Sequence, residues 1–342
     1  MTDLQVGPAE VIRNLVHGRW KSQALIVAVR LGIPEALAGG ALALASLARD
    51  LQVNEDALGR LMRLLVAMEV FDVEPAGRFA NNEASRCLLA SDQPFSLRLD
   101  ALHTLSPSMS IAWDNLEYSV RHGTSGFAHA TGMSVFEYLQ DRPEEADVVY
   151  EFQAEASRWN VGGLLAAGVL PEAGMIVDVG GGNGSTLVAI LESQPELRGV
   201  LYDLPLAIDR ARKRIADSAA GARIELVEGN FFRSVPAGGD LYMLSHVLHD
   251  WPDDRAVEVL QHTAAAMTPG ATLLVTEIMK PEHDSGWLLA YLDLLMLVGL
   301  GGRERTATEY EELLRTAGFT VTDSRNVGQG GFGLGLVTGR LS

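Results

Sequence analysis

Two stretches of this chain carry residue types that can do chemistry. In Ser245-His246-Val247-Leu248-His249-Asp250-Trp251 an imidazole and a carboxylate follow a short apolar run. Imidazole titrates near neutral pH, and a residue just beyond the carboxyl end of a parallel strand faces whatever ligand the sheet edge holds. His249 is therefore the candidate for proton transfer, although an isolated histidine more often caps the next helix or fills a core. The second stretch, Asp178-Val179-Gly180-Gly181-Gly182-Asn183-Gly184, lies between an apolar run, Met175–Val179, and a helical segment, Ser185–Leu191. Glycines there let the chain turn tightly and let a ligand approach the bare backbone at the helix start. The next apolar run ends in Asp203, 23 residues after Gly180, about where an acid after a second strand grips ribose hydroxyls. Strand, glycine turn, helix, strand and acid point to a nucleoside site around Gly180, Gly182 and Asp203. Its spacing is D-x-G-x-G-x-G rather than the G-x-G-x-x-G of dinucleotide folds, and no second mononucleotide half follows.

These residues need a parallel sheet to hold them. From Met175 onward, Met175–Val179, Gly199–Tyr202, Ile224–Val227, Leu241–Leu244 and Thr272–Thr276 are short apolar runs separated by helical stretches, the pattern of strands covered on both faces. Thr320–Val327 and Phe332–Thr338 flank Gly328–Gly331 too closely for a crossover, so the sheet is expected to end in an antiparallel pair. The fold class is α/β: a doubly wound, Rossmann-like sheet with antiparallel last strands.

The earlier part of the chain is mostly helical. Val11, Ile12, Leu15, Val16, Trp20, Leu25 and Val29 recur at helical spacing, with Gly32 and Pro34 ending the run. Ala43–Leu51 and Glu55–Met68 read as two helices, the second capped by Asn54, and Val70–Ala80 as a hairpin turning at Pro75-Ala76-Gly77. That is winged-helix order. Glu55, Asp56 and Glu69 outnumber Arg60 and Arg63 there, against a DNA-reading use and in favour of a structural or dimerising one. Residues 106–165 read as helical, broken at Gly123, Gly126 and Gly132; their Trp113, Phe127, Phe136, Tyr138 and Trp159 suit either a pocket wall or a core. The expected division is 1–105 for the dimerisation domain and 106–342 for the catalytic domain.

Composition sets limits. With 44 acidic and 27 basic residues, a net charge of −17 repels phosphate backbones and anionic headgroups, so nucleic acid is not an expected partner. An apolar share of 47% with 21% charged residues belongs to a globular chain. Cys87, the one cysteine, allows no intramolecular disulfide, suits a reducing cytoplasm and reads as a buried residue. Met1–Glu10 lacks a basic region followed by an apolar core, and the most apolar stretch, Trp287–Leu300, is 14 residues long and contains Asp293, so no membrane span is expected. No His/Asp/Glu set stands at metal-ligand spacing, and no metal is expected.

The Leu-His-Asp-Trp string, the glycine loop, Tyr202-Asp203-Leu204-Pro205 and Gly301-Gly302-Arg303-Glu304-Arg305-Thr306 occur in one order along the chain. In these motifs, and over nearly its whole length, the sequence resembles the class I S-adenosylmethionine-dependent O-methyltransferases of the plant caffeate and bacterial antibiotic-tailoring type. The resemblance implies that S-adenosylmethionine is the methyl donor, leaving as S-adenosylhomocysteine, and that an aromatic hydroxyl is the acceptor. It implies that Gly180 touches the cofactor and Asp203 holds its ribose. Asn230, where the family usually has aspartate, would meet the adenine edge, Phe231 its face, and Ser245 a further cofactor atom. His249 matches the general base, Glu277 and Glu304 the two acids that flank it, and Asp250 a substrate contact. Leu294, Leu295 and Met296 would reach the acceptor, and a homodimer is implied. His246 is expected to point elsewhere in a structural role. The rival readings are a family member moved to hydroxylation or decarboxylation, an NAD-dependent oxidoreductase and a winged-helix regulator.

Overall fold

The computed structural model describes residues 7–90, 97–283, 286–327 and 334–342, without the side chains of 156–160. The chain forms two compact units, Met1–Met109 and Ser110–Ser342.

In the first unit a helix, Pro8–Arg30, is followed by helices Leu44–Asp50 and Glu55–Ala67 and by a small antiparallel sheet of β1 (Leu42–Ala43), β2 (Phe71–Val73) and β3 (Arg78–Asn81). Asn54 caps its helix as its type predicts, Oδ1 accepting from Ala57 N at 2.9 Å. Gly77, at φ 73°, makes the tight turn between β2 and β3. Ile33, Leu47, Met62, Leu65 and Phe71 fill the core, whereas the first half of the long helix leaves Val11, Ile12, Leu15, Val16 and Trp20 exposed. Cys87 is exposed as well, contrary to expectation. It sits at the C-cap of the short helix Glu83–Arg86, where its Sγ donates to Glu83 O, and a cap of so short a helix lies at the surface.

The second unit holds a seven-stranded sheet: β4 (Gly174–Val179), β5 (Leu197–Asp203), β6 (Ile224–Glu228), β7 (Leu241–Ser245), β8 (Thr272–Ile278), β9 (Phe319–Val327) and β10 (Leu334–Leu341). The strand order is β6-β5-β4-β7-β8-β10-β9, and β10 runs antiparallel to both β8 and β9. The antiparallel ending read from the sequence is thus present; the connection Gly328–Gly331 and residues 332–333 lie outside the described residues. Alternate side chains feed two cores. Val177, Val179, Tyr242, Leu244, Leu273 and Val275 pack on one face, and Ile176, Leu201, Met243, Leu274 and Leu336 on the other. Helices Ser185–Ser193 and Pro205–Ala216 cover the second face, helices Asp253–Ala266 and Ala307–Thr316 the first. Strand order reverses between β4 and β7, so the crevice beyond their carboxyl ends is where an open α/β sheet takes a ligand. No helix among the described residues is long and apolar enough to cross a membrane.

Candidate active site

The glycine loop leaves the end of β4 with Gly180, Gly182 and Gly184 at φ 74°, 61° and 76°, angles that L side chains rarely adopt. Its neighbours tolerate little else: a Cβ at Gly181 would lie 2.4 Å from Asp178 Oδ2, and one at Gly180 2.9 Å from Val247 Cγ2 and 3.4 Å from Phe231 Cε1. The sheet thus brings Gly180, Phe231 and the start of the His249 turn together. Asp203, at the end of β5, ties the loop down. Its Oδ2 accepts from Gly182 N at 2.8 Å and its Oδ1 from Leu204 N at 2.6 Å. Burial raises the Asp203 pKa to about 6 against the pull of those two amides. Asn230 uses its Oδ1 to accept from Phe232 N at 2.9 Å, which leaves the Nδ2 hydrogens as the donors it can offer to a base edge. Ser245 Oγ accepts from Thr276 Oγ1 at 2.9 Å.

The His249 turn follows β7 as one short 3₁₀ turn, Leu248–Asp250. Glu277, at the end of β8, is fully buried, and its Oε1 accepts from the backbone N of Val247 at 3.1 Å, Leu248 at 2.9 Å and His249 at 3.4 Å. Its other oxygen lies 3.6 Å from His249 Nδ1 and has no hydrogen-bond partner. Glu304, also buried, bonds the same Nδ1 through Oε1 at 3.0 Å. Asp250 Oδ1 is 3.4 Å from Nε2. Both acids therefore face one ring nitrogen of His249, and the other is left to the side of Asp250.

Burial alone would lower the His249 pKa. The carboxylates of Glu277 and Glu304, the Glu304 hydrogen bond and Asp250 outweigh it and hold the imidazole well above its ordinary value. Burial likewise lifts Glu277 to about 7 and Asp250 to about 6, with His249 opposing both shifts.

Several residues that shape this site are not apparent in the sequence. His246 does not point away: its Nδ1 is 3.8 Å from Glu277 Oε2 and its ring centroid 5.6 Å from that of His249. Its backbone there is left-handed, at φ 53°, a local turn that residue types do not announce. His246, His249 and Glu277 thereby bring one possible metal-ligating atom each within 4.8 Å of one another, a grouping that linear spacing does not announce, while His249 Nδ1 is already bonded to Glu304. Gly302 is a second such residue. A Cβ there would meet His249 O at 2.0 Å, so only glycine lets this segment lie against the turn. The backbone N of Glu304 donates to Asp293 Oδ1 at 2.9 Å, and a capping box between Thr306 and Glu309 starts the next helix. Leu295 is buried, and Leu294 and Met296 are half-buried, on the helix Gly286–Leu300. The Trp159 side chain lies outside the described residues.

A doubly wound sheet with a glycine loop after β4, an acid at the end of β5 and a carboxylate-flanked histidine after β7 is the arrangement of an enzyme that takes a nucleoside cofactor at its switch point. Comparison with known proteins narrows it. The model of the O-methyltransferase domain family matches residues 113–320, and that of the O-methyltransferase dimerisation domain matches residues 13–91. A mitomycin biosynthesis 6-O-methyltransferase of Streptomyces lavendulae is 35% identical over 96% of this chain and 94% of its own. The structure of a mitomycin 7-O-methyltransferase superposes with a TM-score of 0.91 at 35% identity, covering 98% of each chain. An O-methyltransferase from neocarzinostatin biosynthesis, solved with S-adenosylhomocysteine and 1,4-dihydroxy-2-naphthoic acid, gives 0.82 at 28% identity over 94% and 96% of the two chains. An aclacinomycin 10-hydroxylase of Streptomyces purpurascens is also related, 33% identical over 89% of this chain and 83% of its own. The chain belongs to the O-methyltransferase family, and it is an S-adenosylmethionine-dependent enzyme.

The loop fits that cofactor. A Cβ at Gly182 would meet only Gln153 Oε1, at 4.0 Å, so open space lies above bare backbone, and the buried Asp178 carboxylate beneath has no hydrogen-bond partner on either oxygen.

Proposed function

We propose that this enzyme methylates a hydroxyl of an aromatic small molecule, with His249 as general base and Glu277 and Glu304 as its flanking acids. Gly180, Gly182, Asp203, Asn230, Phe231 and Ser245 would hold S-adenosylmethionine, which supplies an electrophilic methyl when bound. The observation that carries the reading is one largely buried imidazole with two buried carboxylates on its Nδ1 side and Asp250 at 3.4 Å on its Nε2 side.

A phenol of pKa about 10 passes its proton to an imidazole of about 6.5 only uphill, by about 5 kcal/mol. Glu304 reduces that cost. Bonded to Nδ1–H, it fixes the tautomer in which Nε2 is the acceptor, and with Glu277 it stabilises the imidazolium once Nε2 is protonated. Asp250, 3.4 Å from Nε2, is placed to hold the incoming hydroxyl. Leu294, Leu295, Met296 and the helical segment that bears Trp159 would close over a flat acceptor and keep water from the transfer. A relative from mitomycin biosynthesis and one from neocarzinostatin biosynthesis, solved with 1,4-dihydroxy-2-naphthoic acid, support an aromatic acceptor in secondary metabolism. The related hydroxylase keeps that rival in play, and His249 with both acids in contact favours methyl transfer.

The exposed apolar face of Pro8–Arg30, in a region matching the dimerisation domain, supports a homodimer through the winged-helix-like unit; light scattering should give twice the chain mass. The test of the chemistry is His249→Gln against a panel of phenols, phenazines and polyketide aromatics, read by mass spectrometry. Turnover should fall about a hundredfold or more while cofactor affinity holds. Turnover near wild type removes His249 from the mechanism, and a hydroxylated product in place of a methylated one overturns the reaction.

A further inference from the structure

Arg305 is among the largest side chains fully withdrawn from solvent, 1% exposed, and its guanidinium spends its donors on the turn that bears His249. Nη1 donates to Leu248 O at 2.9 Å and Nη2 to Trp251 O at 2.7 Å, bracketing residues 249 and 250. Nε and Nη2 both donate to Asp253 Oδ1, at 3.0 and 2.7 Å, just beyond the turn. The backbone on either side of Arg305 is tied at the same points. Arg303 N donates to His249 O at 2.9 Å, Glu304 Oε1 meets His249 Nδ1 at 3.0 Å, and Lys280 N donates to Arg305 O at 3.0 Å, anchoring the segment just beyond β8. A buried guanidinium is costly unless every donor finds an acceptor and a carboxylate balances its charge, and here both conditions hold. Its planar fork fixes the two carbonyls at one separation, which a flexible ammonium cannot do.

We propose that Arg305 is the positioning residue for His249: its fork locks the 248–251 turn onto the segment carrying Glu304, so that imidazole and carboxylate meet in one orientation. Arg305 touches neither substrate nor cofactor and acts through the turn. The kinetic part of this proposal rests on the reading of His249 as base. The groups facing His249 are Glu277, from the end of β8, Glu304, Asp250 and His246, and Arg305 holds the carbonyls on either side of the His249-Asp250 pair.

The experiment uses Arg305→Lys and Arg305→Ala in the full chain. In Arg305→Lys, S-adenosylmethionine affinity by calorimetry should stay within about twofold and KM for the acceptor within about threefold, while kcat falls about thirtyfold or more. The His249 titration, followed by NMR of histidine-labelled protein and assigned with His249→Gln, should move toward the ordinary imidazole value as Glu304 loses its fixed contact. Added guanidinium should restore about fivefold or more of the kcat lost in Arg305→Ala. A folded Arg305→Lys with kcat within about threefold of wild type and an unmoved His249 titration overturns the proposal. Should neither Arg305 variant fold, Asp253→Asn carries the test, because that side chain is 59% exposed. A displaced titration with about a fivefold loss of kcat supports the clamp, and an unmoved titration overturns it. The titration decides the positioning even if His249→Gln retains turnover, an outcome that would sink only the base.

Discussion

The glycine loop and the His249 turn stand at the carboxyl ends of neighbouring strands, β4 and β7, yet are shaped by opposite means. The loop takes its form from missing side chains. Three glycines in the left-handed region sit within five residues, and Asp203 closes the loop by accepting from one of its amides. The turn takes its form from side chains sent in from elsewhere: Glu277 collects three of its amides, and Glu304 reaches it across 55 residues of chain. A ligand-facing backbone needs room, whereas a base needs fixed charge around it. The two regions should therefore fail separately, one in cofactor affinity and the other in turnover.

The largest effect expected after that of His249→Gln is on the loop side. Asp203→Ala removes the carboxylate proposed to hold the ribose and frees Gly182 N, and should weaken S-adenosylmethionine binding by about 2 to 3 kcal/mol, about thirty- to a hundredfold or more. At saturating cofactor kcat should change little, and a large kcat loss there would show that the two regions are one. A smaller effect belongs to the turn. As the proposed base His249 would have to be neutral to accept a proton, and its pKa is held above the ordinary 6.5, so kcat should rise with pH along a limb above that value. Glu304→Gln deletes one of the charges responsible, so the limb should move downward by about one unit while the maximal rate falls about tenfold. A limb that stays in place would take Glu304 out of the pair. Glu304→Gln should leave cofactor affinity unaltered.

The same contrast explains what the sequence reveals. The loop is legible because its parts are consecutive: Asp178 to Gly184 is one string, and Asp203 falls at a fixed distance set by one helix and one strand. Five strands are legible because a sheet covered on both faces writes each as a short apolar run, and the last two, of which Phe319–Val327 is largely polar, only through the short connection between them. Glu277 and Glu304 are a different matter. Each is one acid among 44, and only a resemblance singles them out, since the contact that gives them meaning is made by the fold. Gly302 and Arg305 are harder still, because an arginine at 1% exposure leaves no trace in a hydropathy pattern that places arginines outside. His246 is misread for a local reason, since its left-handed backbone just past β7 is not written in the residue types.

The smallest predicted effect tests the loop from below. Asp178 is fully buried against Gly181, its two oxygens have no hydrogen-bond partner, and burial, reinforced by Asp203, raises its pKa from 3.8 to about 8. The folded protein therefore holds a proton that the unfolded chain has released. This burden is absent below about 3.8, grows as pH rises from there to about 8, and stays constant above. Asp178→Asn carries no charge and should stabilise the cofactor-free protein by about 1 to 3 kcal/mol at pH 8.5, a melting gain of about 2 to 8 °C that shrinks toward zero near pH 4. A gain as large at pH 4 as at pH 8.5 would mean that repacking, not ionisation, is responsible. The acid limb of kcat should stay where it is in this variant, because Asp178 lies under the loop and the charges that set His249 come from β8 and the Glu304 segment.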